Sequence, residues 1–183
     1  ARWTHAIAAI MWIGDSFLFM WMDSSLEPPS RPRPGAVAGE LWMVHSGGFY
    51  EVVKRRSLAP HEMPKHLHWF KWEAYTTWLS GAALLVVVYY LGGRAVLADS
   101  TVAPLPHARA VYVGIAAIVG GWALYESMQR FVAPRAPRLA LLAWLGGLVC
   151  IAVALTQLLS GRAAFLHVGA MLGTIMAANV FLT

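Results

Sequence analysis

"LALLAWLGGLVCIAVALTQLL", residues 139–159, runs for 21 residues without a charged side chain. In an α-helix rising 1.5 Å per residue, about 20 apolar residues cover the roughly 30 Å hydrocarbon layer of a bilayer. Backbone inside lipid must satisfy its own hydrogen bonds, so such a stretch is a helix. Arg135 and Arg138 precede it and Arg162 follows it. These charges bracket the helix where a span meets water.

Working outward, four more apolar stretches of similar length can be drawn: Trp3–Met22, Trp69–Leu91, Ala110–Met128 and Ala163–Thr183. The chain is 58% hydrophobic and 13% charged, which fits a polytopic all-α transmembrane bundle of about five spans. We expect residues 1–183 to form a single integral membrane domain, part of a longer chain. The net charge of +5 resides in connections between apolar runs. It therefore reads as a topology signal, and nucleic-acid binding is excluded. Cys150 is the only cysteine, so the chain has no internal disulfide and no Cys-x-x-Cys-His attachment site for a c-type haem.

The connection between the first two spans is 46 residues long and has features of its own. "EPPSRPRPG", residues 27–35, cannot be helical, because proline lacks the backbone donor and drives the preceding residue towards extended conformations. In "GELWMVHSGGFYEVVKRR", residues 39–56, Trp42, His45 and Phe49 recur at helical spacing before a basic cluster. That pattern predicts an interfacial helix, weakened or kinked at Gly47 and Gly48. With alternate connections on opposite sides, ten of the Lys and Arg residues fall on the side of the long loop and four on the other. The positive-inside tendency makes the long loop cytoplasmic and the N-terminus external.

Two polar clusters carry candidate chemistry. On the first span His5, Ala9, Trp12, Ser16, Phe19 and Asp23 fall within about 40° of one line at 100° per residue. On the fifth, His167, Ala170, Met171, Thr174, Ala178 and Phe181 form a second stripe, beside a ladder of Gly169, Gly173 and Ala177 that permits close helix approach. Counting from the starts of these two spans puts His5 and His167 at similar depth. Two histidines so placed suit the two axial positions of a b-type haem, with Arg162 against a propionate. The alternative is that each imidazole hydrogen-bonds a neighbouring helix and Arg162 is an ordinary interfacial residue.

The second cluster is cytoplasmic: His45 and Tyr50 in the loop, then His66, His68, Lys71 and Glu73 at the entry to span two. His66-x-His68 has no clear further metal ligands. A pocket for a planar anion fits better: lysine and histidine attract the charge, tryptophans stack, and a desolvated glutamate or histidine moves protons. An aromatic belt with interfacial charges accounts for Trp69, Trp72 and Trp78 equally well. Asp15 stands in mid-span, where a carboxylate needs protonation or a partner.

Three strings, "GELWMVHSGGFYEVVK", "LHWFKWEAYTTWLSG" and "SGRAAFLHVGAMLGTIMAANVF", carry a family likeness. They resemble the membrane domain of bacterial cytochrome c-linked urate oxidases, also called membrane urate hydroxylases, and the likeness extends from "WTHAIAAIMWIG" to the end. It implies a multi-pass enzyme of the bacterial inner membrane that oxidises urate to 5-hydroxyisourate and passes electrons to a c-type cytochrome domain. That domain is not in this sequence, and Asp15 replaces the small neutral residue expected there. The pattern His5-x-x-Ala8-x-x-x-Trp12-x-Gly14 is also similar to the first span of b-haem membrane proteins related to bacterial protoporphyrinogen oxidases. The competing expectation is a non-catalytic subunit of a larger respiratory or photosynthetic membrane complex, its apolar faces covered by neighbouring subunits.

Overall fold

The computed structural model describes residues 1–31, 33 and 35–182. Pro32 and Pro34 of the proline-rich stretch, and Thr183 at the end of the fifth expected span, lie outside the described residues. The chain is mostly helical, and four of its helices are long and apolar enough to cross a membrane: Arg2–Ser24, His107–Val132, Pro137–Leu158 and Gly161–Phe181. The expected all-α membrane bundle is therefore what forms. Two compact units are distinguished, Ala1–Ala9 with the residues from Lys71 onward, and Ile10–Phe70.

In the first unit the opening turns of α1 (Arg2–Ser24) join α2 (Lys71–Leu85), α3 (Arg94–Leu97), α4 (His107–Ser127), α5 (Pro137–Leu158) and α6 (Gly161–Leu182). Both α2 and α4 end in a π turn, Val86–Tyr90 and Met128–Val132. The expected second span thus exists as a helix from Lys71 to Tyr90, but it is not among the four apolar ones. Lys71, Glu73, Thr76, Thr77 and Ser80 dilute its first half.

Packing in this unit rests on small residues. Ala74, Ala110, Ala140, Ala163, Ala164 and Ala177 are all buried. In lipid, where apolar burial drives little association, small side chains let backbones approach and gain van der Waals contact. Gly114 and Gly121 on α4 receive His167 and Met171 of α6. These contacts rise together along both helices, so α4 and α6 run parallel. α2 runs antiparallel to α6: Tyr75 stacks on Phe181 at 3.9 Å, Trp78 Nε1 donates to Thr174 Oγ1 at 3.0 Å, and Tyr90 meets His167. Gly169 and Gly173, expected to mark a close approach, have no neighbour within 4 Å of an added Cβ.

Ser160 ties the start of α6 to α3. Its hydroxyl donates to the Val96 carbonyl at 3.0 Å, its amide donates to the Leu97 carbonyl at 3.1 Å, and its oxygen accepts from the Ala163 amide. One side chain thus caps a helix and fixes the preceding turn.

The second unit contains the remainder of α1 and corrects the expectation for the long loop. Residues 37–55 form an antiparallel hairpin, β1 (Val37–His45) and β2 (Gly48–Arg55), in place of an interfacial helix. Val37, Trp42, Val44, Phe49, Tyr50, Val52 and Val53 favour the pleated conformation, whereas Gly39, Gly47 and Gly48 disfavour a helix. The reversal is a two-residue loop in which Ser46 has φ 50° and Gly47 φ 78°. Positive φ at both central residues gives the tight turn whose twist matches a hairpin.

The hairpin base is pinned electrostatically. Glu40, 4% exposed, accepts the Ser30 amide at 2.6 Å and Arg33 Nε at 3.0 Å, while the other end of Arg33 pairs with Glu51. The hydrogen bonds from Ser30, with Arg33 beside them, hold the Glu40 carboxyl below its ordinary value. Lys54 reaches Asp23 at the end of α1, at 2.6 Å. Both partners are about half exposed, so that pair contributes at most about 1 kcal/mol.

Candidate functional site

His167 lies on α6 and is completely buried. Its Nδ1–H donates to the Ala163 carbonyl one turn back at 2.7 Å, which leaves Nε2 to accept the Tyr90 hydroxyl at 3.0 Å. Tyr90 reaches it from the π turn that ends α2, and Tyr89 approaches the same ring edge-on. Gly114 of α4 closes the Nε2 side so tightly that an added methyl would collide with it. The Tyr90 carbonyl, left over at the helix end, accepts His107 Nε2 at 2.8 Å.

His5 packs elsewhere. Its Nδ1 donates to the Thr77 carbonyl at 3.0 Å, with Ser80 Oγ 3.2 Å away, and its ring lies so close to Gly81 that a Cβ there would stand 2.8 Å from Cε1. Only glycine leaves room for this approach. His5 thus meets α2 at Thr77–Gly81 and His167 meets it at Tyr90. Gly81 and Tyr90 are nine positions apart, about 14 Å of helix at 1.5 Å per residue.

That placement does not fit an iron held between the two histidines. Metal–imidazole bonds are about 2 Å long, so two axial nitrogens must stand roughly 4 Å apart across the metal. Here the pair is spread along α2, and both nitrogens of His167 are already engaged. Counting residues from a span's start assigns a depth only if the helices begin level. The contacts of α1 and α6 with α2 set a different stagger. Arg162 lies exposed on the first turn of α6, ahead of the buried Ala163 and Ala164.

The proposed substrate residues divide between the units. Lys71 and Glu73 occupy the first turn of α2, where the helix dipole favours the carboxylate, and Glu73 Oε2 is shielded from solvent. Beside them Tyr75 stacks on Phe181 with 7° between the rings, and Trp72 meets Tyr75 edge-on at 5.6 Å. In the other unit His45 is exposed at the end of β1 and His68 meets Phe70 edge-on at 4.6 Å. Among the described residues no group of three or more His, Cys, Asp or Glu side chains could hold a metal ion.

Sequence reasoning missed Tyr75, Phe181, Thr77, Gly81, Gly114 and Tyr90 as the immediate surroundings of these groups. Phe181 had a signal, its place on the stripe with His167. Gly81 and Gly114 had none, because a glycine does not name the side chain that fills its space.

Glu73, Thr77 and Ser80 stand at i, i+4 and i+7, so they share one face of α2. His5 and Glu73 are therefore neighbours on one helix face, although the sequence places their clusters on opposite sides of the membrane. Chemically this face offers a carboxylate and an imidazole with its tautomer fixed, while the stacked pair of Tyr75 and Phe181 lies about 200° around the helix from Glu73.

No curated protein and no solved structure matches the chain. The family described as "Urate oxidase N-terminal" matches residues 1–183, the whole of the sequence. The chain belongs to the urate oxidase N-terminal family.

Proposed function

We propose that this chain is the membrane-embedded part of an enzyme that oxidises urate to 5-hydroxyisourate and passes the electrons to a c-type cytochrome. The observation that carries this reading is the family match over the full length of a chain with four apolar helices. Urate is a planar anion. The start of α2 supplies what such a molecule needs: the Lys71 ammonium for its charge, the Glu73 carboxylate for a proton, and the rings of Trp72, Tyr75 and Phe181 for its faces. His45 and His68, read from the sequence as further proton carriers, belong to the other unit.

The reaction joins the urate monoanion to the oxygen of one water and, with 5-hydroxyisourate leaving as its monoanion, releases two protons and two electrons. Side chains can take the protons, but an external acceptor must take the electrons, and a c-type cytochrome is the acceptor in this reading. A haem ligated jointly by His5 and His167 has no part in it, since the two imidazoles do not meet. The membrane is the bacterial inner membrane, with the long loop in the cytoplasm.

The test is urate-dependent reduction of the cytochrome by membranes that contain the complete native protein. Glu73→Gln is expected to lower kcat by about 10²–10⁴-fold, the usual worth of a positioned acid or base. Lys71→Met is expected to act mainly on KM. No urate-dependent reduction by the native protein with its acceptor present would overturn the proposal. That result would favour a non-catalytic subunit of a larger membrane complex.

A further inference from the structure

We infer that His5 is a second proton acceptor of the urate site, working with Glu73 along one face of α2. The inference rests on the proposed function above. It reassigns a histidine that sequence placed at a haem on the far side of the membrane.

The first observation is position. The His5 imidazole is seated on Thr77 and Ser80, which share a face of α2 with Glu73. Glu73 precedes these two residues by four and seven positions, about 6 to 10 Å of helix. The two groups therefore stand within about two turns of each other along the same helix face.

The second observation is the tautomer. The Thr77 carbonyl can only accept, so His5 Nδ1 carries the hydrogen and Nε2 carries the lone pair. A base whose other nitrogen is fixed by an acceptor is oriented in the manner of catalytic histidines generally. Gly81 lets the ring sit this close, and the half-buried His5 is neither sealed in the core nor free to rotate.

The chemistry requires two proton acceptors. As two electrons leave for two ferric haems of the c-type cytochrome, an N–H bond of urate breaks and its proton goes to the Glu73 carboxylate. A water O–H bond breaks as its oxygen bonds to C5, and that proton goes to His5 Nε2. Atoms and charge then balance: the urate monoanion and water give the monoanion of 5-hydroxyisourate, two protons on the protein and two reduced haems.

The experiment compares His5→Gln, His5→Ala and Gly81→Ala in the complete protein, measuring urate-dependent cytochrome reduction against pH, the absorption spectrum and thermal stability. His5→Gln retains an amide donor for the Thr77 carbonyl but cannot take a proton. It is expected to fold, to lose kcat by about 10²-fold or more with little change in KM, and to lose the limb of the pH profile due to the imidazole. Added imidazole is expected to restore part of the activity of His5→Ala, and Gly81→Ala to lower kcat by displacing the ring. Wild-type kcat and pH profile in His5→Gln would overturn the inference while leaving the urate reading intact. Unfolding of both His5 variants without rescue by imidazole would make the residue structural, and loss of a b-type haem band in His5→Gln would make it a ligand. Either result overturns the inference. A native protein inactive towards urate removes the inference and the reading beneath it together.

Discussion

A methyl group added at Gly114 would push into the Nε2 edge of His167, and one added at Gly121 into the thioether of Met171. The two collisions differ in what can yield. His167 is fixed at both nitrogens, whereas Met171 can change rotamer around a flexible thioether. Gly114→Ala is therefore expected to cost about 1–3 kcal/mol, the usual penalty of overpacking a tight core, and Gly121→Ala distinctly less. Thermal unfolding of both variants in one detergent checks the order, and equal losses would contradict it. Residue identity alone reveals a groove on α4 but not what lies in it. The more conspicuous ladder of Gly169, Gly173 and Ala177 drew the eye, yet both of its glycines face open space.

At the scale of elements, the hairpin was the part least legible in advance. Trp42, His45 and Phe49 happen to recur at helical intervals, and the same residues lie equally well on strands. What decides between the two is Ser46-Gly47, which accepts positive φ, and the run of β-branched and aromatic residues on either side. Valine at position 47, forced into that left-handed conformation, is expected to destabilise the hairpin by about 1–2 kcal/mol. The base of the hairpin adds a dependence on pH. The Glu40 carboxyl is held below its ordinary value, so its contribution is fully present above the usual carboxylate range and is lost as pH falls through the lowered value. Hydrogen exchange of the hairpin peptides, corrected for intrinsic rates, is expected to show an acid-induced loss of protection in the native protein. Glu40→Gln is expected to be less protected at neutral pH and to lack that acid step. The helices were far easier to read, since 21 uncharged residues leave few alternatives in water or lipid.

For the whole molecule, charge distribution and helix direction are linked. α2 is antiparallel to α6, and α4 is parallel to it. Ten Lys and Arg residues in one set of alternate connections against four in the other predict, by the positive-inside tendency, that a cysteine at Ser57 is cytoplasmic and one at Thr101 outside. In a Cys150→Ser background, a membrane-impermeant thiol reagent should label the second in intact cells and the first only after permeabilisation. Labelling of both from one side would refute the topology. The sequence singles out His5, His167, Lys71 and Glu73 as candidates by residue type alone. Their grouping is not legible there, because depth counted from a span's start ignores the stagger set by Gly81 against His5 and Gly114 against His167.

The π turn at Val86–Tyr90 accommodates one residue more than an α-helical turn requires. Removing a single residue there would let α2 finish as a plain α-helix and turn everything after the deletion by about 100°. The hydroxyl now on His167 would swing away, and the ring of the adjacent tyrosine, at present edge-on at 6.5 Å, would move relative to the imidazole. The length of this segment therefore acts as a vernier: a one-residue insertion or deletion, with no change of side-chain chemistry, is enough to alter which phenol the buried imidazole meets.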